Sequence, residues 1–308
     1  MKSTLSRLAP ESCTPGAPTE NASIFASYFE LTKPRIIVLL LVTTLAAMVM
    51  AARGIPSLWL TFWTLLGGGL AAASAGALNC VYDADIDAVM RRTRGRPLPT
   101  GRITATNATI FAVCLGVASF AVLYVFANPL AAWLSLFGNV YYVGIYTMWL
   151  KRRTPLNIVI GGAAGAVPPL VGWAAVTGHI GGPALGLFAL IFLWTPPHTW
   201  ALALVAESDY DKAHVPMLPN VVGEARTKVE IVAYTAVLVV ASLALYPLHV
   251  MGLVYFVAAL VLGGIFFYDA LKTLRESGKI WPRRMFTFSL LYLALMCAAM
   301  VADRIFLA

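Results

Sequence analysis

Residues 57–87 read SLWLTFWTLLGGGLAAASAGALNCVYDADID, a stretch without charge that ends abruptly in Asn79, Asp83, Asp85 and Asp87. Ser57–Leu78 is long enough to cross a hydrocarbon core of roughly 30 Å as a helix. It is continuously apolar rather than alternating, which excludes a barrel strand of about ten residues. The same pattern recurs along the chain, giving nine expected spans: Ile36–Ala52, Ser57–Leu78, Ala105–Ala127, Leu130–Leu150, Asn157–Thr177, Pro183–Ala206, Val229–Leu248, Val250–Leu271 and Met285–Ala308. The composition agrees. Of 308 residues 60% are hydrophobic and 12% charged, against roughly a quarter charged in soluble domains, and the mean hydropathy is +0.79. The fold class is all-α, a polytopic membrane protein with about nine transmembrane helices around a central cavity.

The loops set the expected orientation. With the N-terminus cytoplasmic, all but Arg53 and Arg304 of the 22 Lys and Arg residues fall on the cytoplasmic side, which is a strong positive-inside bias. An odd span count follows, with the C-terminus outside, because adding or removing one central helix would mix the basic loops across both faces. The formal charge of +8 is mostly this bias; it attracts anionic lipid and implies no nucleic-acid partner. Residues 1–26 are polar, with no secretory apolar core, and are expected as a disordered cytoplasmic tail before a transmembrane domain at 27–308. Glu11 and Glu20 in that tail argue against an acid-poor mitochondrial presequence. A bacterial inner membrane is therefore preferred to a mitochondrial one. Cys13, Cys80, Cys114 and Cys297 lack metal-ligand spacing and read as packing residues.

Function is expected on the cytoplasmic face, where two long loops carry most of the acids. Asn79, Asp83 and Asp87 are spaced i, i+4, i+8, so a continuing helix would hold them within about 80° on one stripe. Carboxylates aligned this way repel unless a cation lies among them, and hard oxygen ligands suit Mg²⁺ or Mn²⁺. Magnesium is usually shared with substrate phosphates, and Arg91, Arg92, Arg94, Arg96 and Arg102 follow directly in the sequence. The alternative is a solvated loop whose acids pair with neighbouring bases; Asn79, polar and just inside the membrane edge, favours the site. Asp85 points away from the aligned stripe and reads as a loop charge. The second loop, after the sixth span, offers Glu207, Asp209, Asp211 and Lys212, so two acid-rich mouths could face one cavity.

NCVYDADID at 79–87 resembles the first motif of the UbiA-type intramembrane prenyltransferases, Asn-Asp-x-x-Asp-x-x-x-Asp, with Cys80 in place of the first Asp. YFELTKPRIIVLLLVTT at 28–44, MRRTRGRPLPTGR at 90–102, LKRRTPLNIVIGGAAGAVPPLVGW at 150–173, WTPPHTWALAL at 194–204 and DYDKAHVPMLP at 209–219 resemble the haem-farnesylating branch of that family. The second motif, Asp-x-x-x-Asp, departs: Glu207 and Asp211 have its spacing, Asp209 fits the Asp-Tyr of the haem branch, and Ser208 stands where relatives often carry Lys or Asp.

The resemblance implies transfer of a farnesyl group from farnesyl diphosphate to a vinyl group of protohaem IX (haem b), with addition of water. The product would be haem O for haem-copper oxidases, passed to a downstream haem A synthase. It implies Mg²⁺ or Mn²⁺ on Asn79, Asp83, Asp87, Asp209 and Asp211, and diphosphate on Arg92, Arg94, Arg96, Arg102 and Lys212. It gives His198, Asn139, Tyr142, Arg152 and Arg153 as candidates to contact haem. Each has a plainer reading beside it: Asn139 and Tyr142 as helix packing, Arg152 and Arg153 with Lys151 as positive-inside anchors. His198 follows Pro196 and Pro197, which are expected to break the sixth span, so it could equally bond the freed carbonyls. Gly161, Gly162 and Gly165 are expected to let helices approach closely. The absence of a Ser-His-Asp or Cys-His set fits chemistry in which a π bond is the nucleophile and the cavity must be dry. An aromatic prenyltransferase acting on a quinone or chlorophyll precursor would share the metal site but lack the longer strings. A secondary transporter would place acids near the bilayer midplane, and a respiratory-assembly subunit would give no reason for two acid-rich mouths.

Overall fold

The computed structural model describes residues 23–306, and among them no strand forms. In chain order the helices are α1 Ile24–Leu31, α2 Pro34–Ala52, α3 Leu58–Tyr82, α4 Ala84–Val89, α5 Ala105–Phe126 and α6 Pro129–Val140, which continues as a π helix over Tyr141–Leu150. Then come α7 Asn157–Thr177, α8 Gly182–Val205, α9 Glu207–Lys212, α10 Leu218–Val222, α11 Glu224–Ala244, α12 Leu253–Arg275 and α13 Ile280–Phe306. Among the described residues, α2, α3, α5, α7, α8, α11, α12 and α13 are each long and apolar enough to cross a membrane. The ninth expected span, Leu130–Leu150, is α6 with its π continuation. A bilayer offers the backbone no water, so each crossing segment satisfies its amides internally as helix. Starts are marked where a side chain takes an orphan amide: Asn128 Oδ1 accepts from Ala131 N at 2.9 Å ahead of Pro129, and Thr104 Oγ1 accepts from Asn107 N at 3.2 Å.

Helix ends differ from expectation by a few residues. α3 runs on to Tyr82, α11 starts at Glu224 and α13 at Ile280, because charged residues at a bundle edge extend a helix beyond its apolar core. α1 begins at Ile24, inside the segment expected as tail, while residues 1–22 with Cys13 lie outside the described residues. α1 exposes Ile24, Phe25 and Phe29 and buries Leu31, the pattern of a helix lying in an interface. Pro196 and Pro197 do not break α8, which is continuous over Gly182–Val205; packing in a bundle tolerates the lost amides.

α2 packs on α3, α7 and α13; α3 lies on α5, and α7 on α6 and α8; α8, α11, α12 and α13 form the other side of the bundle. That second side is solid, with Trp200, Ile231, Leu238, Tyr255, Phe266 and Tyr292 almost wholly buried. The first side is opened by small residues. Gly172 meets the Thr44 carbonyl of α2 so closely that a Cβ could not fit, and a Cβ on Gly161 would run into the Tyr146 ring. Gly165, expected at a close helix approach, instead leaves room for a Cβ and borders a cavity between α2, α3, α6, the π helix, α7 and α8.

Candidate active site

The acids of the first loop sit where α3 ends. The helix bends at Asp83 (φ −92°, ψ 9°), yet Asp83 N still bonds Asn79 O at 2.9 Å and Asp87 N bonds Asp83 O at 2.7 Å. The i, i+4 relation therefore survives across the bend, and all three side chains are buried. Asn79 Nδ2 donates to Asp83 Oδ2 at 2.8 Å and to Thr147 Oγ1 at 3.0 Å. Asn79 Oδ1 accepts from Lys33 Nζ at 2.5 Å. Lys151 Nζ reaches Asp83 Oδ2 at 2.5 Å, and Arg96 reaches Asp87 Oδ2 at 2.6 Å. Two buried carboxylates are thus each met by a cation.

The π helix decides which residues face this cluster. In an α helix Lys151 would lie about 180° from Tyr142, nine residues earlier. With i to i+5 bonds nine residues make about two turns, so Tyr142, Tyr146, Thr147 and Lys151 share one face. Lys151 N bonds Tyr146 O at 2.9 Å, closing the last π turn. Tyr142 and Tyr146 line the cavity with ring centroids 5.3 Å apart, Thr147 meets Asn79 and Lys151 meets Asp83.

Lys33 is the residue sequence reasoning missed. It sits between α1 and α2 with φ 56° and ψ 56°, a left-handed backbone that is costly for a side-chain-bearing residue and more so before Pro34. Burial pushes its ammonium below the ordinary lysine value. The signal was the Lys-Pro pair at the membrane edge, which read as one more positive-inside anchor.

Lys33 also lines an apolar cavity of about 350 Å³ within the bundle. Small residues on α3 (Gly68, Ala71, Ala72, Ala75) face Ile37, Leu40 and Leu41 of α2 across it. Asn139 lines it too, its amide donating to Ala71 O at 3.1 Å.

Other expected site residues are placed differently. Arg102 bonds Glu30 at 3.0 Å, Gly95 O at 2.6 Å and Ser27 at 3.3 Å, so it fastens α1 to the loop. Arg92 and Arg94 are exposed on that loop, as is Arg153 after the π helix. Arg152 is held by Asp85, which accepts from both terminal nitrogens at 2.7 Å. This contact lowers the Asp85 carboxyl from its ordinary value and raises the Arg152 guanidinium. Asp85 is therefore a built contact and not a free loop charge. His198 does not line the cavity: its Nδ1 meets Ser289 Oγ at 2.5 Å and its ring is stacked between Trp194 and Phe286.

The second loop packs against the first through an apolar contact, Tyr210 of α9 with Ile86 and Met90. Asp209 is half-buried, and Asp211 and Lys212 are exposed. Among the described residues neither acid bonds Asp83 or Asp87, and no group of three or more His, Cys, Asp or Glu is gathered to hold a metal. The structure brings together Asn79, Asp83 and Asp87 but does not join Asp209 and Asp211 to them. The first-loop set nonetheless suits a hard cation. Its donors are oxygens, and Asp83 Oδ1 is buried without a hydrogen-bond partner.

Residues 40–302 match the model of the UbiA prenyltransferase family. The chain belongs to the UbiA prenyltransferase family. Among similar proteins is a protoheme IX farnesyltransferase of Trichodesmium erythraeum, 53% identical over 282 residues, covering 91% of this chain and 86% of that one. Another, of Chloroflexus aurantiacus, is 53% identical over 285 residues; these cover 92% of this chain but 48% of the relative, so the chain spans about half its length. A solved UbiA homologue from Archaeoglobus fulgidus, bound to DMAPP and Mg²⁺, superposes with a TM-score of 0.64 at 18% identity, covering 89% of this chain and 99% of that one. At that identity the likeness establishes the fold, an intramembrane helical bundle.

Proposed function

We propose that this chain transfers a farnesyl group from farnesyl diphosphate to a vinyl group of protohaem IX, with addition of water, to give haem O. One observation carries the reading: Lys33 lines the apolar cavity and bonds Asn79, which donates to Asp83, a buried carboxylate with an unpartnered oxygen that Lys151 meets, while Arg96 meets Asp87. The names of the relatives support the substrates.

Asn79, Asp83 and Asp87 would hold Mg²⁺ or Mn²⁺, which when bound neutralises charge on the departing diphosphate. Lys33 and Lys151 hold positive charge at the same place from the start, and Arg92 and Arg94 stand exposed on the loop above it, so negative charge develops where cations are already fixed. The farnesyl chain occupies the groove between α2 and the small residues of α3. Its C1–O bond breaks with the electron pair leaving on diphosphate, and the vinyl π pair forms the new C–C bond. Water oxygen then adds to the adjacent vinyl carbon and releases a proton. Tyr142 and Tyr146 present π faces to an allylic cation and keep water from the reacting carbon. Asn139 and Tyr142 remain the cavity residues nearest to a haem role, and exposed Arg153 is suited to a propionate. Asp209 and Asp211 flank Tyr210, which packs with Ile86 and Met90 of the first loop, and would join the site when substrate is bound. The charge bias of the loops supports a cytoplasmic N-terminus and an outside C-terminus, Glu11 and Glu20 in the tail support a bacterial inner membrane, and haem O would be handed to a haem A synthase.

The test is to incubate purified protein with protohaem, farnesyl diphosphate and Mg²⁺ and to weigh the haem product. A haem heavier by one farnesyl group and one hydroxyl is expected. Untouched haem beside a prenylated quinone precursor would overturn the assignment.

A further inference from the structure

Asp85 and Arg152 lie outside the cavity lining, yet they converge on the one backbone feature that aims Asp83. Arg152 donates through both terminal nitrogens to Asp85 at 2.7 Å and through Nη2 to the Tyr82 carbonyl at 2.8 Å. Its guanidinium carbon stands 4.9 Å from the Tyr82 ring centroid, and Nη2 stands 4.0 Å from Asp83 Oδ1. Tyr82 is the last residue of α3, Asp83 is the bend, and Asp85 belongs to α4. One side chain from the segment after the π helix therefore pins both sides of the bend, and it satisfies a terminal carbonyl that the helix itself leaves free. Its neighbour Lys151 pairs with Asp83 from the same segment.

We propose that Asp85 and Arg152 form a positioning pair, holding the bend at Asp83 so that its free oxygen faces the metal and diphosphate, and that neither binds substrate. This rests on the metal–diphosphate reading of the site. Partners that orient a metal ligand without touching the metal typically change affinity or activity by about 10- to 100-fold when removed.

The test uses the full chain in detergent, comparing wild type with Asp85→Ala, Arg152→Ala and the double variant. Mn²⁺ binding is followed by electron paramagnetic resonance in the presence of a farnesyl thiodiphosphate, and turnover is measured beside it. Each single change is expected to weaken Mn²⁺ binding and lower kcat by about 10- to 100-fold. The double variant should match the worse single within about threefold, since the two residues act as one unit. KM for protohaem should stay unchanged. Asp85→Asn, of nearly the same shape, covers the case in which an alanine variant does not fold, and it is expected to show the same loss of Mn²⁺ binding. Wild-type Mn²⁺ binding in folded Asp85→Asn, or losses that multiply in the double variant with Arg152→Ala far the worse, would overturn the pair and make Arg152 a direct ligand. A wild type that binds Mn²⁺ through an intact pair but leaves protohaem unreacted would remove the substrate assignment and leave the pair standing.

Discussion

Asp83 and Lys151 are unequally buried, and this asymmetry makes a measurable prediction. Their ion pair is 2.5 Å long, with side-chain exposure of 1% for Asp83 and 16% for Lys151. Lys151→Met leaves a buried carboxylate without its cation, and breaking a buried pair from one side costs about 3–5 kcal/mol. Asn79 still donates at 2.8 Å and Arg152 stands 4.0 Å away, so the loss should fall at or below the low end, about 2–3 kcal/mol. Asp83→Asn removes the other charge, but Lys151 can turn its ammonium to water, so the expected loss is about 1 kcal/mol or less. At about 2–4 °C per kcal/mol, Lys151→Met should lower the melting temperature by roughly 5–10 °C and Asp83→Asn by less than about 4 °C. The assay is thermal unfolding in detergent with EDTA present, so that metal binding does not contribute. Turnover should behave differently from stability, with Asp83→Asn losing at least about 100-fold in kcat while nearly as stable as wild type. A strongly destabilised Asp83→Asn beside a fully stable Lys151→Met would reverse the order of burial and refute the reasoning.

Gly172→Ala should destabilise by about 1–3 kcal/mol, because the added carbon meets backbone of α2 and not a movable side chain; chemical or thermal unfolding measures it. Gly161→Ala should displace Tyr146 and raise KM for farnesyl diphosphate by about tenfold, with a smaller change for protohaem; equal changes for both substrates would separate Tyr146 from the prenyl groove. EDTA should abolish turnover, and either Mg²⁺ or Mn²⁺ should restore it in wild type but not in Asp83→Asn. His198→Phe should keep kcat and KM for protohaem within about threefold, since the ring is packed between Trp194 and Phe286; a tenfold rise in KM would return it to the haem site.

Much of the fold was legible because a bilayer admits few solutions. Apolar runs of about twenty residues must become helices, so nine spans could be marked before any contact was known. The alignment of Asn79, Asp83 and Asp87 was equally local, since helical spacing fixes which side chains share a face. Helix α1 was less visible, because its eight residues are too few to read as a span. The unbroken α8 was misread because Pro196 and Pro197 act on local hydrogen bonds, whereas its continuity comes from packing by its neighbours.

The sequence by itself determined the membrane class, the polar face that carries the chemistry and the aligned acids at its edge, because each depends on composition or short-range periodicity. Tertiary structure decided which cations meet those acids. Lys33, Lys151 and Arg152 all read as anchors of the same kind, and basic residues at a membrane edge look alike in one dimension. Only the left-handed turn at Lys33 and the π winding of Tyr141–Leu150 bring two of them inward, while Asp85 claims the third. Those placements are set by backbone geometry over long sequence separations, which no local spacing records.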